Sequence, residues 1–231
     1  IEQPDENLLF EKKVKVSTET IGEYSDIVTR KHVCNDIYEG MEMISRVYGF
    51  SGFEPNTVLM GWAKNTKNPE KFQELLINLN KLDYNLTFLK YNKEKGFGKY
   101  KSIDFWWSGK GRNLALALHL IRFITVTPEW RNAQIRILSI NPNNKNTERF
   151  YAIIEQILDN YRIRANVKII QNPENIKTKD IIRSESLDTD LIITEFPEFD
   201  KNCISEVIDS VNGALENINT CMLLHASSEF E

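Results

Sequence analysis

A chain of 231 residues, 41% hydrophobic and 27% charged, has room for one large domain or two small ones and the ordinary balance of a soluble globular protein. Its formal net charge is −4 and its basic residues are scattered, which argues against a nucleic-acid partner, for which a concentrated basic face is expected. Cys34, Cys203 and Cys221 stand far apart without CxxC spacing, so they read as buried small apolar side chains in a reducing compartment, not as a disulfide frame or a zinc site.

The opening, Ile1-Glu2-Gln3-Pro4-Asp5-Glu6-Asn7, is polar and acidic, with no signal-peptide pattern and no initiator Met. An excised soluble piece of a larger intracellular protein is expected. Val14-Lys15-Val16-Ser17-Thr18 and Asp26-Ile27-Val28-Thr29 read as strands. Asn35 or Asp36 can cap a helix to about Tyr48, in which Ile37, Met41, Ile44 and Val47 share one face and Gly49 and Gly52 end it. Val58–Trp62 is a short apolar strand. Asn68-Pro69 then opens a helix whose Phe72, Leu75, Leu76 and Leu79 repeat at helical spacing. Leu86–Tyr91 is the next strand, and the polar stretch Asn92–Lys101, with Gly96 and Gly98, reads as the linker.

The pattern then restarts. Strands are expected at Ile103–Trp107, Ile135–Ile140, Val167–Ile170, Leu191–Glu195 and Cys221–His225. Helices are expected at Asn113–Ile124, Thr147–Tyr161, Thr178–Ser186 and Ser205–Leu215. The most apolar window, Leu114–Val126, is broken by His119 and Arg122 and falls short of the roughly 20 residues that span a bilayer. Strands alternating with helices of this length imply right-handed crossovers and doubly wound parallel sheets, an α/β fold. Such a unit begins in the middle and grows to one edge before the other, which predicts the order Val167–Ile170, Ile135–Ile140, Ile103–Trp107, Leu191–Glu195, Cys221–His225. Any crevice should then be lined by Ser108–Arg112 and Phe196-Pro197. The last three strands and their two helices repeat the arrangement of Asp26–Tyr91. Residues 1–95 are therefore the back portion of a first unit, and 102–231 a complete second one.

Three runs in order carry a family resemblance: Asn56-Thr57-Val58-Leu59-Met60-Gly61-Trp62, Ile103-Asp104-Phe105-Trp106-Trp107 and Trp130-Arg131-Asn132-Ala133-Gln134-Ile135-Arg136-Ile137. Together they resemble the C-terminal cytosolic domain of a prokaryotic cation-chloride cotransporter, of the amino acid-polyamine-organocation transporter superfamily. There the stretches read roughly Pro-Asn-Thr-Val-Leu-Gly-Trp, Ile-Asp-Val-Trp-Trp and Trp-Lys/Arg-x-Cys-x-Ile-Arg-Val. The resemblance covers the chain from about Asp26 onward. It implies tandem universal-stress-protein-like units, the first incomplete. It also implies a non-catalytic regulatory and dimerisation domain on the cytoplasmic side of the cell membrane. The parent transporter's membrane domain and a second copy of this chain would be its partners, and sodium, potassium and chloride would move through that membrane domain. An incomplete first unit also leaves the edge of Val58–Trp62 to be covered by Glu11–Thr29 or by a second copy.

Few residues suggest chemistry. Ser108-Gly109-Lys110-Gly111-Arg112-Asn113 sits between a strand and a helix, where two glycines and two cations can cradle an anion. It matches neither phosphate-binding glycine pattern, and the plainer reading is a tight turn that needs glycine. The resembled family often has an acidic Asp-Gly-Gly turn here, so behaviour that depends on that turn does not carry over. A universal-stress-protein-like nucleotide-binding module is the alternative function, resting on this turn and on fold analogy. Asp104 lies in an apolar strand and calls for a structural partner, Arg136 or backbone N–H groups, because no second acid, histidine or nucleophile accompanies it. His32, His119 and His225 have no ligand or triad spacing. Trp106 and Trp107 point to opposite faces as plugs between sheet and helices. No catalytic, cofactor-binding or metal residues are assigned, no cofactor is expected, and the chain is read as not an enzyme.

Overall fold

Alternating strand and helix signals build one seven-stranded sheet in the computed structural model, which describes residues 33–47, 55–109, 112–141, 147–199 and 203–228. The chain falls into two compact units, Ile1–Asn35 and Asp36–Glu231, and every element below belongs to the second. The strands are β1 (Thr57–Gly61), β2 (Asn85–Lys90), β3 (Ser102–Trp106), β4 (Gln134–Asn141), β5 (Asn166–Gln171), β6 (Leu191–Glu195) and β7 (Thr220–His225). The helices are α1 (Ile37–Val47), α2 (Pro69–Lys81), α3 (Asn113–Val126), α4 (Thr147–Tyr161), α5 (Thr178–Glu185) and α6 (Ile204–Leu215). The order across the sheet is β1-β2-β7-β6-β3-β4-β5. The five strands from residue 102 onward thus stand in the expected order, all parallel, with β3 in the interior. Among the described residues no helix is long and apolar enough to cross a membrane.

Two hydrophobic layers sandwich the sheet. Side chains from successive strand residues enter opposite layers. Trp106 joins α2 and α6 on one face, and Trp107 joins α3 and α4 on the other. Helix α2 buries the stripe its spacing foretold, Phe72, Leu75, Leu76 and Leu79, while α6 buries Val207, Ile208 and Val211 and α3 buries Leu114, Leu118 and Ile121. Pro69 starts α2 at no hydrogen-bond cost, since the first N–H of a helix has no partner in any case.

Asn92–Lys101 connects β2 to β3, as expected of the linker, and β2 also pairs directly with a strand from beyond it. β2 and β7 run antiparallel, the one antiparallel ladder in the sheet. Leu89 faces Met222 while Thr87 faces Leu224, so a half-turn about the Phe88–Leu223 pair exchanges the two strands. The same half-turn relates further pairs. Trp62 N–H donates to Leu89 O at 2.9 Å, as Phe196 N–H donates to Leu224 O at 2.7 Å. The rings meet on the axis, with Trp62 5.8 Å from both Phe88 and Phe196 and Phe88 4.7 Å from Phe196. The chain before Asn92–Lys101 contributes β1 and β2, and the chain after it β3 to β7.

Several expectations are corrected. Asn92–Lys101 is a fixed strap: Asp190 accepts the backbone N–H groups of Lys99, Lys101 and Ser102 at 2.9, 2.7 and 3.1 Å. Phe97 and Tyr100 pack their rings on Trp130, with centroids 6.0 and 5.1 Å away. The apolar face expected for α1 is only partly covered; Ile37, Met41, Ile44 and Val47 are 37–56% exposed. The polar face of the helix makes the anchors instead. Lys71 bridges Asp36 and Glu39 at 2.9 and 3.1 Å, Asn78 donates to Glu42 at 3.0 Å, and Tyr84 to the Ser45 carbonyl at 2.8 Å. Asp36 caps α1, as the sequence suggests, by accepting the N–H groups of Tyr38 and Glu39. Of the three free cysteines only Cys221 is buried; Cys203 is exposed where α6 begins. Val14–Thr18, Asp26–Thr29, His32, Gly49 and Gly52 lie outside the described residues, as does the proposed cover Glu11–Thr29.

Candidate functional site

The switch point of the sheet lies between β3 and β6. The crossovers that follow β3 and β4 run over one face through α3 and α4, whereas α5 and α6 lie on the other. Doubly wound folds take ligands just beyond the C-terminal ends of such strands. Of the crevice residues expected from the sequence, Ser108 makes a direct contact here. Ser108 and Glu195, one past β3 and one ending β6, are joined directly: Ser108 N–H donates to Glu195 Oε2 at 3.0 Å. Asn113, the first residue of α3, donates its amide to Glu195 Oε1 at 3.3 Å and accepts the Ala226 N–H at 2.9 Å. Burial pushes the Glu195 carboxyl above its ordinary value, while the hydrogen bonds of Ser108 and Asn113 pull it partly back. Gly109 adopts φ +82°, a left-handed angle that suits glycine, and a Cβ there would lie 2.9 Å from the Phe150 ring. That ring stacks on Trp107 at 5.2 Å with 14° between planes. Phe196 is buried in the aromatic joint, Pro197 is exposed, and Lys110 and Gly111 lie outside the described residues.

Asp104 sits deep in the sheet, away from this crevice, and is fully buried. Arg136 on the neighbouring strand grips it with two bonds, Nε to Oδ1 at 2.7 Å and a terminal nitrogen to Oδ2 at 2.5 Å. Ser186 and Thr189 hydroxyls donate to Oδ2 at 2.6 Å each, and Trp106 Nε1 donates to the Ser186 hydroxyl at 2.9 Å. The register places Asp104 opposite Arg136, which is why both side chains reach the same face. This is a satisfied structural network in which Asp104 raises the Arg136 guanidinium further still. It offers no free base or nucleophile.

The described histidines, His119 and His225, do not converge. His119 is exposed on α3 with its ring 5.1 Å from Tyr161, and His225 approaches Asn80 at 3.2 Å and the Phe199 ring. Burial pushes the Cys221 thiol up to about 12, so it is inert. An apolar cavity of about 300 Å³ opens between α1 and β1, lined by Met41, Ile44, Val58, Met60, Leu79 and Tyr84. Among the described residues β1 pairs on one side only, and its Leu59 is 61% exposed. Two residues escaped the sequence reading. Glu195 ends a buried strand at the switch point, and Asp190 starts it. Both are acids at strand boundaries, the signal by which they were findable.

No family model matches the chain. Among solved structures, it is similar to the cytoplasmic domain of a prokaryotic cation chloride cotransporter, with a TM-score of 0.70 and 13% identity over 98% of this chain and 83% of that one. It is also similar to a universal stress protein from Archaeoglobus fulgidus DSM 4304, with a TM-score of 0.61 and 12% identity over 96% and 79% of the two chains. Identities this low establish the fold, which this chain shares with both.

Proposed function

We propose that this chain is the cytosolic regulatory and dimerisation domain of a cation-chloride cotransporter. It performs no catalysis and is attached to a membrane domain that carries the ions. The observation that supports this reading is a convergence. The three runs that resemble the family fall on β1, β3 and the Trp130–β4 segment of a fold shared with such a cytoplasmic domain over 98% of the chain. In this reading residues 1–95 and 102–231 are the two tandem units, and a second copy of the chain is the partner on the cytoplasmic face.

The test has two arms. The coding sequence upstream of Ile1 should encode roughly ten to twelve apolar spans of about 20 residues each. Light scattering of the intact protein should give a dimer, whose interface should bury more than about 1,000 Å² in total. An upstream sequence free of apolar spans overturns the transporter reading, and a monomeric intact protein overturns the dimer. The alternative, a universal-stress-protein-like nucleotide-binding module, draws on the likeness to the Archaeoglobus protein. A nucleotide titration separates the two.

A further inference from the structure

A phosphate at a strand-to-helix turn needs a free N–H, a glycine that lets it approach the backbone, and no competing negative charge. Among the described residues of this chain, the groups at the switch point that would meet these needs are already engaged. The Ser108 N–H is donated to Glu195 Oε2 at 3.0 Å, and the Asn113 amide that opens α3 points to Oε1 at 3.3 Å. Asn113 cannot swing away cheaply, because its Oδ1 holds the Ala226 N–H at 2.9 Å. The Phe150 ring rests on Gly109 where a close ligand would approach, and it is braced by its stack on Trp107. The two closures come from different elements, β6 and α4.

We infer that Glu195 is the specificity determinant that bars phosphate-bearing ligands from the switch point, standing as a built-in anion where their phosphate would sit, with Phe150 closing the glycine side. A doubly wound unit is thereby converted from a site for anionic ligands into a self-occupied junction.

The probes are ATP and inorganic phosphate, titrated by calorimetry into the whole chain as wild type, Glu195→Gln and Glu195→Ala. Glu195→Gln keeps an acceptor for Ser108 and removes only the charge. Glu195→Ala covers the case in which the glutamine still fills the space, and circular dichroism confirms that each variant is folded. The wild type should show no saturable binding at millimolar ligand. At least one folded variant should bind ATP or phosphate at least tenfold more tightly. Wild-type binding within threefold of the variants overturns the inference. So does the absence of any gain in both folded variants, since the carboxylate would then not be what excludes the anion. The outcome is independent of the transporter reading, which stands or falls on the upstream spans and the assembly state.

Discussion

Replacing Asp104 by Asn tests whether the buried network is structural. The asparagine would keep one acceptor oxygen but present an NH₂ group to a site crowded with donors: the Arg136 guanidinium and the hydroxyls of Ser186 and Thr189. Asp104 is fully buried, whereas the Arg136 side chain retains 32% exposure, so the lost partner leaves a guanidinium only partly able to reach water. Breaking a buried pair from one side costs about 3–5 kcal/mol. With a urea slope of about 2–3 kcal/mol/M for a chain of this size, the unfolding midpoint should fall by about 1–2.5 M. Trp106 reports the transition by fluorescence, because its indole N–H is bonded to Ser186 inside the same network. Removing both charges together, as Asp104→Leu with Arg136→Met, should restore most of the loss, since a dry apolar pair replaces an ion pair at little cost. A single Asp104→Asn variant within about 0.5 kcal/mol of wild type refutes the structural role.

Thiol labelling of the native protein should modify the exposed Cys203 readily and leave Cys221 untouched until denaturant is added; native labelling of Cys221 contradicts its burial. Gly98→Ala should cost about 1–3 kcal/mol, because φ is +58° there and a Cβ would run into the Asp190 carboxylate. The same variant should speed proteolysis within 92–101, and an unchanged cleavage rate refutes the strap. For Glu195, burial raises the folded value above the ordinary 4.5, so the folded state holds its proton the more tightly. The stabilisation from that proton is full at low pH and is lost as pH rises through the folded value. Urea midpoints should therefore show Glu195→Gln gaining on wild type as pH rises above the ordinary 4.5, and a gap that stays flat or shrinks refutes the shift.

Element type and order were legible because the apolar runs are short, β-branched and punctuated: Thr147–Tyr161 and Leu191–Glu195 have the bounds expected, and other ends moved by one or two residues. The order of the second unit followed from handedness alone, and the Asp104–Arg136 pair followed from the adjacency of their strands. The α1 stripe was legible as apolar, but periodicity does not show what covers it. Helical spacing at Ile37, Met41, Ile44 and Val47 would look the same against a core, a partner or solvent. The strap misled for a related reason. Gly96 and Gly98 signal special backbone angles, φ +59° and +58°, and these serve a fixed loop as readily as a free one. Nothing local foretells that the carboxylate fixing it comes from Asp190.

Nor could the joint be read from either repeat alone. Each repeat ends in a strand whose outer edge would be open, a liability in isolation. Pairing β2 with β7 removes both edges at once and is possible only antiparallel, because a half-turn must bring like elements together. That half-turn then places α2 and α6 side by side on one face and forces the residues after β1 and β6 into contact. Trp62 and Phe196 are therefore large and aromatic for the same reason: both fill the space on the axis around Phe88. Trp62 also donates its indole N–H to Asn212 of α6 at 2.9 Å, a bond from the first repeat into the second. The two repeats thus share one core and one ladder. The strap at 92–101 follows from this, since the chain must pass from the end of β2 to the start of β3 across β7 and β6, and Asp190 at the head of β6 lies on that route.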